Sequence, residues 1–172
     1  ARTVFKWTTQ LNKTFLHIIF GGEVQSGSFN TKTYTNTYGK PGVLQTNDDI
    51  RPNIYSIFAQ ADLQFPKDWN VTVGLSSNQS SIEINRISVA NFTPVKRTFN
   101  NELAPRLALS KKIVEDLWFY VSASKGFSSP TVAEVLPSTT VISTDLQPEH
   151  GVSYEAGIKS SWLKQRLYVE VN

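Results

Sequence analysis

Few residues in this chain have types and spacing suited to chemistry. His17 and His150 are the only histidines among 172 residues, and there is no cysteine. A structural or catalytic zinc site needs three or four Cys, His, Asp or Glu ligands converging on one point. These two histidines stand far apart, without carboxylates at ligand spacing, so no metal centre is expected. Asp48-Asp49 and Glu115-Asp116 are paired carboxylates, but each pair reads as a solvated turn or loop. Gly39-Lys40-Pro41-Gly42 lacks the glycine spacing and the following Ser or Thr of a phosphate loop. No serine sits in a nucleophile elbow. The sequence predicts no catalytic residue, no resident cofactor and no enzyme.

Composition narrows the class. Hydrophobic residues make up 40 % and aromatics 12 %, while charged residues reach only 18 %, low against about 25 % in an ordinary soluble domain. No stretch approaches the ~20 uninterrupted apolar residues of a membrane helix. A membrane barrel stays open, since each of its strands is apolar on one face only. The net charge of +3 comes from scattered Lys and Arg. Lys96-Arg97 and Lys111-Lys112 adjoin no nucleic-acid motif, and no nucleic-acid partner is expected. The opening Ala-Arg-Thr-Val-Phe-Lys-Trp has neither the apolar run nor the cleavage site of a signal peptide, which favours an internal fragment.

The elements that must position any functional group are strands, because the dominant signal has period two. Tyr55, Ile57, Ala59, Ala61, Leu63 and Phe65 alternate with Ser56, Phe58, Gln60, Asp62 and Gln64. Successive strand side chains point to opposite faces, so this segment has an apolar face and a mostly polar one. The pattern recurs near Phe5–Leu11, Leu16–Val24, Trp69–Leu75, Leu103–Leu109, Leu117–Lys125, Val152–Ile158 and Leu167–Val171, about eight strands in all.

The connections alternate strictly. Short turns are expected at 12–13, 66–68, 114–116 and 162–165, and long polar connections at about 25–53, 77–101 and 126–151. Outer-membrane barrels segregate their connections this way, with short turns toward the periplasm and long loops outside. Trp7, Tyr55, Phe65, Trp69, Trp118 and Trp162 near strand ends fit interfacial aromatic girdles. Gly126 and Pro130 fall where a strand gives way to a loop.

Three stretches carry a family resemblance: Ala104 to Leu109 (APRLAL), Tyr120 to Thr131 (YVSASKGFSSPT) and Leu146 to Lys159 (LQPEHGVSYEAGIK). In order and spacing they resemble the barrel of TonB-dependent receptors, and Ser56 to Leu63 resembles an earlier strand of it. The resemblance implies an all-β fold: an antiparallel up-and-down transmembrane β-barrel segment, about eight strands of a barrel of about 22. Residues 1–172 would all be barrel, with no plug domain present. It further implies the outer membrane of a Gram-negative bacterium and import of a scarce nutrient, foremost an iron–siderophore complex. The implied partners are that ligand, outer-membrane lipid, and the TonB complex acting through the absent plug.

Side-chain parity then suggests sites. If Leu103, Leu107 and Leu109 face lipid, Arg106 faces the lumen, and Glu155 and Lys159 do so on another strand. Arg106, Glu155 and Lys125 are the expected lumen polar network. Tyr34, Tyr38, Arg51, Arg86 and Arg97 are candidate ligand-binding residues by type, since Arg grips carboxylate or catecholate oxygens and Tyr stacks and hydrogen-bonds. Two other readings remain: a small complete eight-stranded structural or adhesin barrel, and a soluble lipocalin-like carrier with its apolar faces inside. The direction of Tyr55, Ile57, Leu63 and Phe65 separates them.

Overall fold

A computed structural model describes residues 1–99, 101–136, 141–143, 145–163 and 166–172. The described chain forms one antiparallel sheet of ten strands. In order these are β1 (Arg2–Leu11), β2 (Thr14–Ser26), β3 (Phe29–Thr37), β4 (Lys40–Phe65), β5 (Trp69–Arg86), β6 (Val95–Thr98), β7 (Glu102–Val114), β8 (Leu117–Ser128), β9 (Glu149–Trp162) and β10 (Leu167–Val171). One short helix, α1 (Val132–Val135), lies between β8 and β9. The main path, β1-β2-β4-β5-β7-β8-β9-β10, contains the eight strands that alternation marks out. Among the described residues β1 and β10 each have one neighbour, so the sheet is an open arc rather than a closed small barrel.

All four short turns join neighbours at one end of the sheet. They need left-handed backbone, and Asn12, Lys67, Asp68, Asp116 and Leu163 adopt it, with φ between 54° and 66°. Asn and Asp tolerate that region better than most residues.

The opposite end departs from expectation. The long connections at 25–53 and 77–101 are largely strand: β4 runs for 26 residues and β5 for 18, with β3 and β6 pairing to their extensions. Period two continues there as Ile50 opposite Ile84 and Asp48 opposite Arg86. Ile50, Ile82, Ile84, Phe99 and Val135 form a buried apolar cluster, with Val132, Leu136, Ile142 and Leu146 packed against it. Asp48 is therefore no solvated carboxylate: Arg86 Nε lies 2.8 Å from its Oδ1 and both side chains are buried. The sheet extensions thus carry their own core beyond the amphipathic wall.

Register assigns the faces, because directly opposed residues in an antiparallel ladder point the same way. One unbroken row reads Trp7, Ile18, Ala61, Val73, Leu107, Ala123, Tyr154. The next position along each strand gives Thr8, His17, Asp62, Thr72, Ala108, Ser122, Glu155. The apolar face is uncovered: Ile57 is 67 % exposed, Leu107 54 % and Tyr154 81 %. A lipid carrier would bury that face, and none of Tyr55, Ile57, Leu63 and Phe65 belongs to the buried cluster. Phe65, Trp69 and Trp162 adjoin the short turns on the apolar face, with Tyr55 toward the far end. Trp118 is a correction to the aromatic girdle, since it stands opposite Lys112 and Lys159 on the polar face.

Candidate functional site

The polar face is the candidate site. Small residues on β5, β7 and β8 keep it open, and longer polar side chains interlock across the ladders. Asp62 accepts from Thr72 Oγ1 at 2.6 Å and from Gln60 Nε2 at 2.9 Å. Ser56 Oγ donates to Asn78 Oδ1 at 2.6 Å. Thr8 Oγ1 and His17 Nδ1 are 3.0 Å apart. Toward the short-turn end, the Tyr120 hydroxyl lies 2.7 Å from Glu155 Oε1 and 3.0 Å from Glu170 Oε1. A phenol has one proton to donate, so Tyr120 can donate to only one of these carboxylates at a time, the shorter contact being with Glu155. Lys159 Nζ lies 3.0 Å from Glu170 Oε1 and 4.8 Å from the centre of the Tyr120 ring, and balances part of that charge.

Arg106 belongs to the same face: it is opposite Gly74 on one side and Ser124 on the other. Glu155, opposite Ser122, stands two residues along β8 from Ser124, the partner of Arg106. The structure brings these two to one surface without a direct ion pair between them. Lys125 is a correction. It is opposite Val152, in register with the apolar row, and so points away from Arg106 and Glu155. Counting from Ser122 and Ser124, an odd step along β8 reverses the face.

The candidate ligand residues lie at the long-connection end but do not form one cluster. Tyr38 stands fully exposed at the tip of the β3–β4 hairpin, and Tyr34 lies on β3 opposite Leu44. Arg51 is exposed and 3.6 Å from Glu83. Arg86 is spent on Asp48 inside the buried cluster, which leaves no exposed guanidinium for a ligand. Arg97, on β6 opposite Ile82, packs against the buried cluster: Nη2 donates to the Leu146 carbonyl at 3.3 Å, and the guanidinium lies 5.9 Å from the Phe99 ring. His150, read from sequence as a loop residue, opens β9 with Nδ1 3.3 Å from Glu102 Oε2. No group of His, Cys, Asp or Glu able to hold a metal occurs among the described residues.

Sequence reasoning missed Tyr120, Asp62 and the β4–β5 core. Alternation in Ile82-Glu83-Ile84-Asn85 could have revealed the core, whereas nothing in the sequence pairs Tyr120 with Glu170.

An open arc with an uncovered apolar face and a hydrogen-bonded polar face is the wall of a large transmembrane barrel. The family model described as TonB dependent receptor-like, beta-barrel matches residues 1–172. The chain belongs to the TonB-dependent receptor family. Members of this family are receptors and transporters rather than enzymes. No curated protein sequence matches the chain. Among solved structures it is similar to the ferric citrate transporter FecA in its unliganded form, with a TM-score of 0.77 and 12 % identity over 92 % of this chain and 24 % of that one. It is similar to the siderophore receptor PiuA from Acinetobacter baumannii, at TM-score 0.76 and 13 % identity over 98 % of this chain and 30 % of that one. The closed form of the ferric-catecholate import receptor Fiu from E. coli K12 gives 0.68 and 17 %, over 98 % of this chain and 29 % of that one. At these identities the likeness is one of fold. The receptor arc spans less than a third of each of those chains.

Proposed function

We propose that this arc is part of an outer-membrane receptor of a Gram-negative bacterium, one that binds a scarce nutrient outside and imports it with energy supplied through TonB. An iron–siderophore complex is the first candidate ligand. Residues 1–172 belong to the barrel domain, with no plug among them. The observation that carries the reading is the segregation of faces over eight paired strands. In such a barrel the apolar face meets lipid, and the polar face lines the lumen. Ferric citrate, ferric catecholate and siderophore appear in the names of the three similar structures, which supports iron as the cargo's metal.

Arg106 and Glu155 then contribute to a lumen polar network in contact with the plug. Tyr34, Tyr38, Arg51 and Arg97 lie at the end where ligand arrives. Radioactive iron uptake tests the function: cells lacking the intact gene should lose uptake of one ferric chelate from a panel of citrate, catecholate and hydroxamate complexes, and complementation should restore it. Removal of TonB should abolish the same uptake. Unchanged uptake of every chelate, together with no binding to the purified intact protein, would sink the iron reading.

A further inference from the structure

Toward the long-connection end an aromatic ring interrupts the polar face. Phe58 lies four residues from Asp62 on β4, and so on the same side of the strand. It is directly opposite Gly21 on β2 and Ser76 on β5. A Cβ on Gly21 would fall 2.9 Å from Phe58 Cζ and would collide with the Thr3 carbonyl oxygen, so glycine leaves room for the ring against β2. The Arg2 guanidinium reaches from β1 to 5.3 Å from the ring centre, within cation–π range.

Two more cations share this part of the face. Gln60, two residues from Phe58, lies in a row that reads Lys6, Ile19, Gln60, Gly74, Arg106. Lys6 and Arg106 thus flank the ring from opposite sides, each about 12 Å from Phe58 between Cα atoms by strand spacing. Both are exposed, and neither has a hydrogen bond or ion pair among the described residues. Of the nearby carboxylates, Glu23 stands opposite Arg2, and Glu102 is buried against His150. Neither offsets Lys6 or Arg106. Between the ring and Arg106 the floor is made by Gly74, Ser76 and Ala104, whose side chains are too small to cover it.

Height places this patch on the side from which a ligand arrives. Phe58 lies seven residues from Phe65 at the short-turn end of β4, about 23 Å along the strand at roughly 3.3 Å per residue. At a tilt of about 40° that is about 18 Å of rise against a band about 25 Å tall. An aromatic surface beside unneutralised cations complements a ligand that has both rings and negative charge. Iron(III) held by catecholate dianions has both. Ferric citrate has charge without rings, and ferric trihydroxamates have neither.

We propose that Phe58 and Arg2 form a ligand subsite on the lumen wall that takes an aryl ring of an anionic ferric catecholate, while Lys6 and Arg106 attract its charge. The subsite rests on the receptor function proposed for the arc and selects among the chelates which that function leaves open. The test titrates the intact protein in detergent with a ferric tris-catecholate, ferric citrate and a ferric trihydroxamate, read by quenching of tryptophan fluorescence. Mobility of the unboiled protein on gels verifies that each variant is folded.

Wild type should bind the catecholate at least about tenfold more tightly than either other chelate, a comparison that needs no variant. Phe58→Leu should weaken catecholate binding about tenfold, and Phe58→Tyr, which keeps the ring, should restore it. Arg2→Ala should weaken it by a similar factor, about tenfold. Preference of wild type for citrate or the trihydroxamate, or unchanged catecholate affinity in folded Phe58→Leu, would overturn the subsite and leave the receptor reading intact. Binding of no chelate at all would overturn both.

Discussion

The Tyr120 ring packs against Gly157 across the β8–β9 ladder, so close that a Cβ on the glycine would fall 2.8 Å from two ring carbons and 2.7 Å from the Val171 carbonyl oxygen. Glycine at 157 leaves room for the ring in this position, where its hydroxyl is within reach of Glu155 and Glu170. Gly157→Ala should destabilise the folded barrel by about 1–3 kcal/mol, the usual range for overpacking. Urea titration of the intact protein in lipid vesicles reads this. Gly151→Ala is the control, because a Cβ there meets nothing within 4 Å.

The Asp48–Arg86 pair offers a larger effect. Its side chains are 4 % and 9 % exposed, so removing one partner strands a charge beside the Ile50 cluster. Asp48→Ala should cost about 3–5 kcal/mol of stability in the β4–β5 extension. Arg51→Ala, which breaks an exposed 3.6 Å pair with Glu83, should cost less than about 1 kcal/mol. Hydrogen exchange on β4 and β5 separates the two, since only the first variant should open residues near Ile50 and Ile84.

Face assignment makes a directional prediction about charge. Leu107→Arg places a guanidinium on the uncovered apolar face and should cost about 2–4 kcal/mol near the bilayer midplane. Ser122→Arg, one row away on the polar face and opposite Glu155, should leave vesicle folding close to wild type. Equal losses for the two would contradict the proposed orientation in the membrane.

Helix α1 carries a pH-sensitive cap outside the wall. Glu134 Oε2 accepts from the Thr131 backbone N–H at 2.7 Å and from its hydroxyl at 2.8 Å, and these bonds hold the carboxyl below its ordinary range, the backbone N–H contributing most. A depressed folded value means the cap's contribution is complete above the unfolded glutamate pKa, about 4.3. It is lost as pH falls through the lower folded value. Amide exchange at 132–136 should therefore quicken in acid relative to β8, after correction for intrinsic rates. Glu134→Gln should flatten that dependence.

Much of the wall was legible because its physics is local. A strand with one face in lipid must alternate, and turns of two to four residues need residues that accept left-handed backbone, so the eight-strand path and its short turns could be read from residue order. The β4 and β5 extensions were obscured by composition. Asn, Thr, Gly and Pro between Gln25 and Asn53 look like loop, yet β3 pairs with β4 from Lys40 to Ile50, and β5 joins it on the other side from Asp48 onward. Parity placed Arg106 and Glu155 together because each sits in a clean alternating segment. Lys125 falls on the opposite face because it lies an odd number of residues along β8 from Ser122 and Ser124. The carboxylates around Tyr120 were invisible, since their meeting depends on registers across two ladders.

The length of β4 has a consequence for the cell surface. Crossing a bilayer takes about 9–11 tilted residues, and β4 has 26, so in the proposed receptor roughly half of it would stand as a mast above the membrane, braced by β3, β5 and the Ile50 cluster. The fully exposed Tyr38 and its neighbour Gly39, at φ 80°, form the masthead. In the proposed outer-membrane orientation, external proteases and antibodies would have access to that tip. A cut there would sever the hairpin crown and leave the braced strands below it standing.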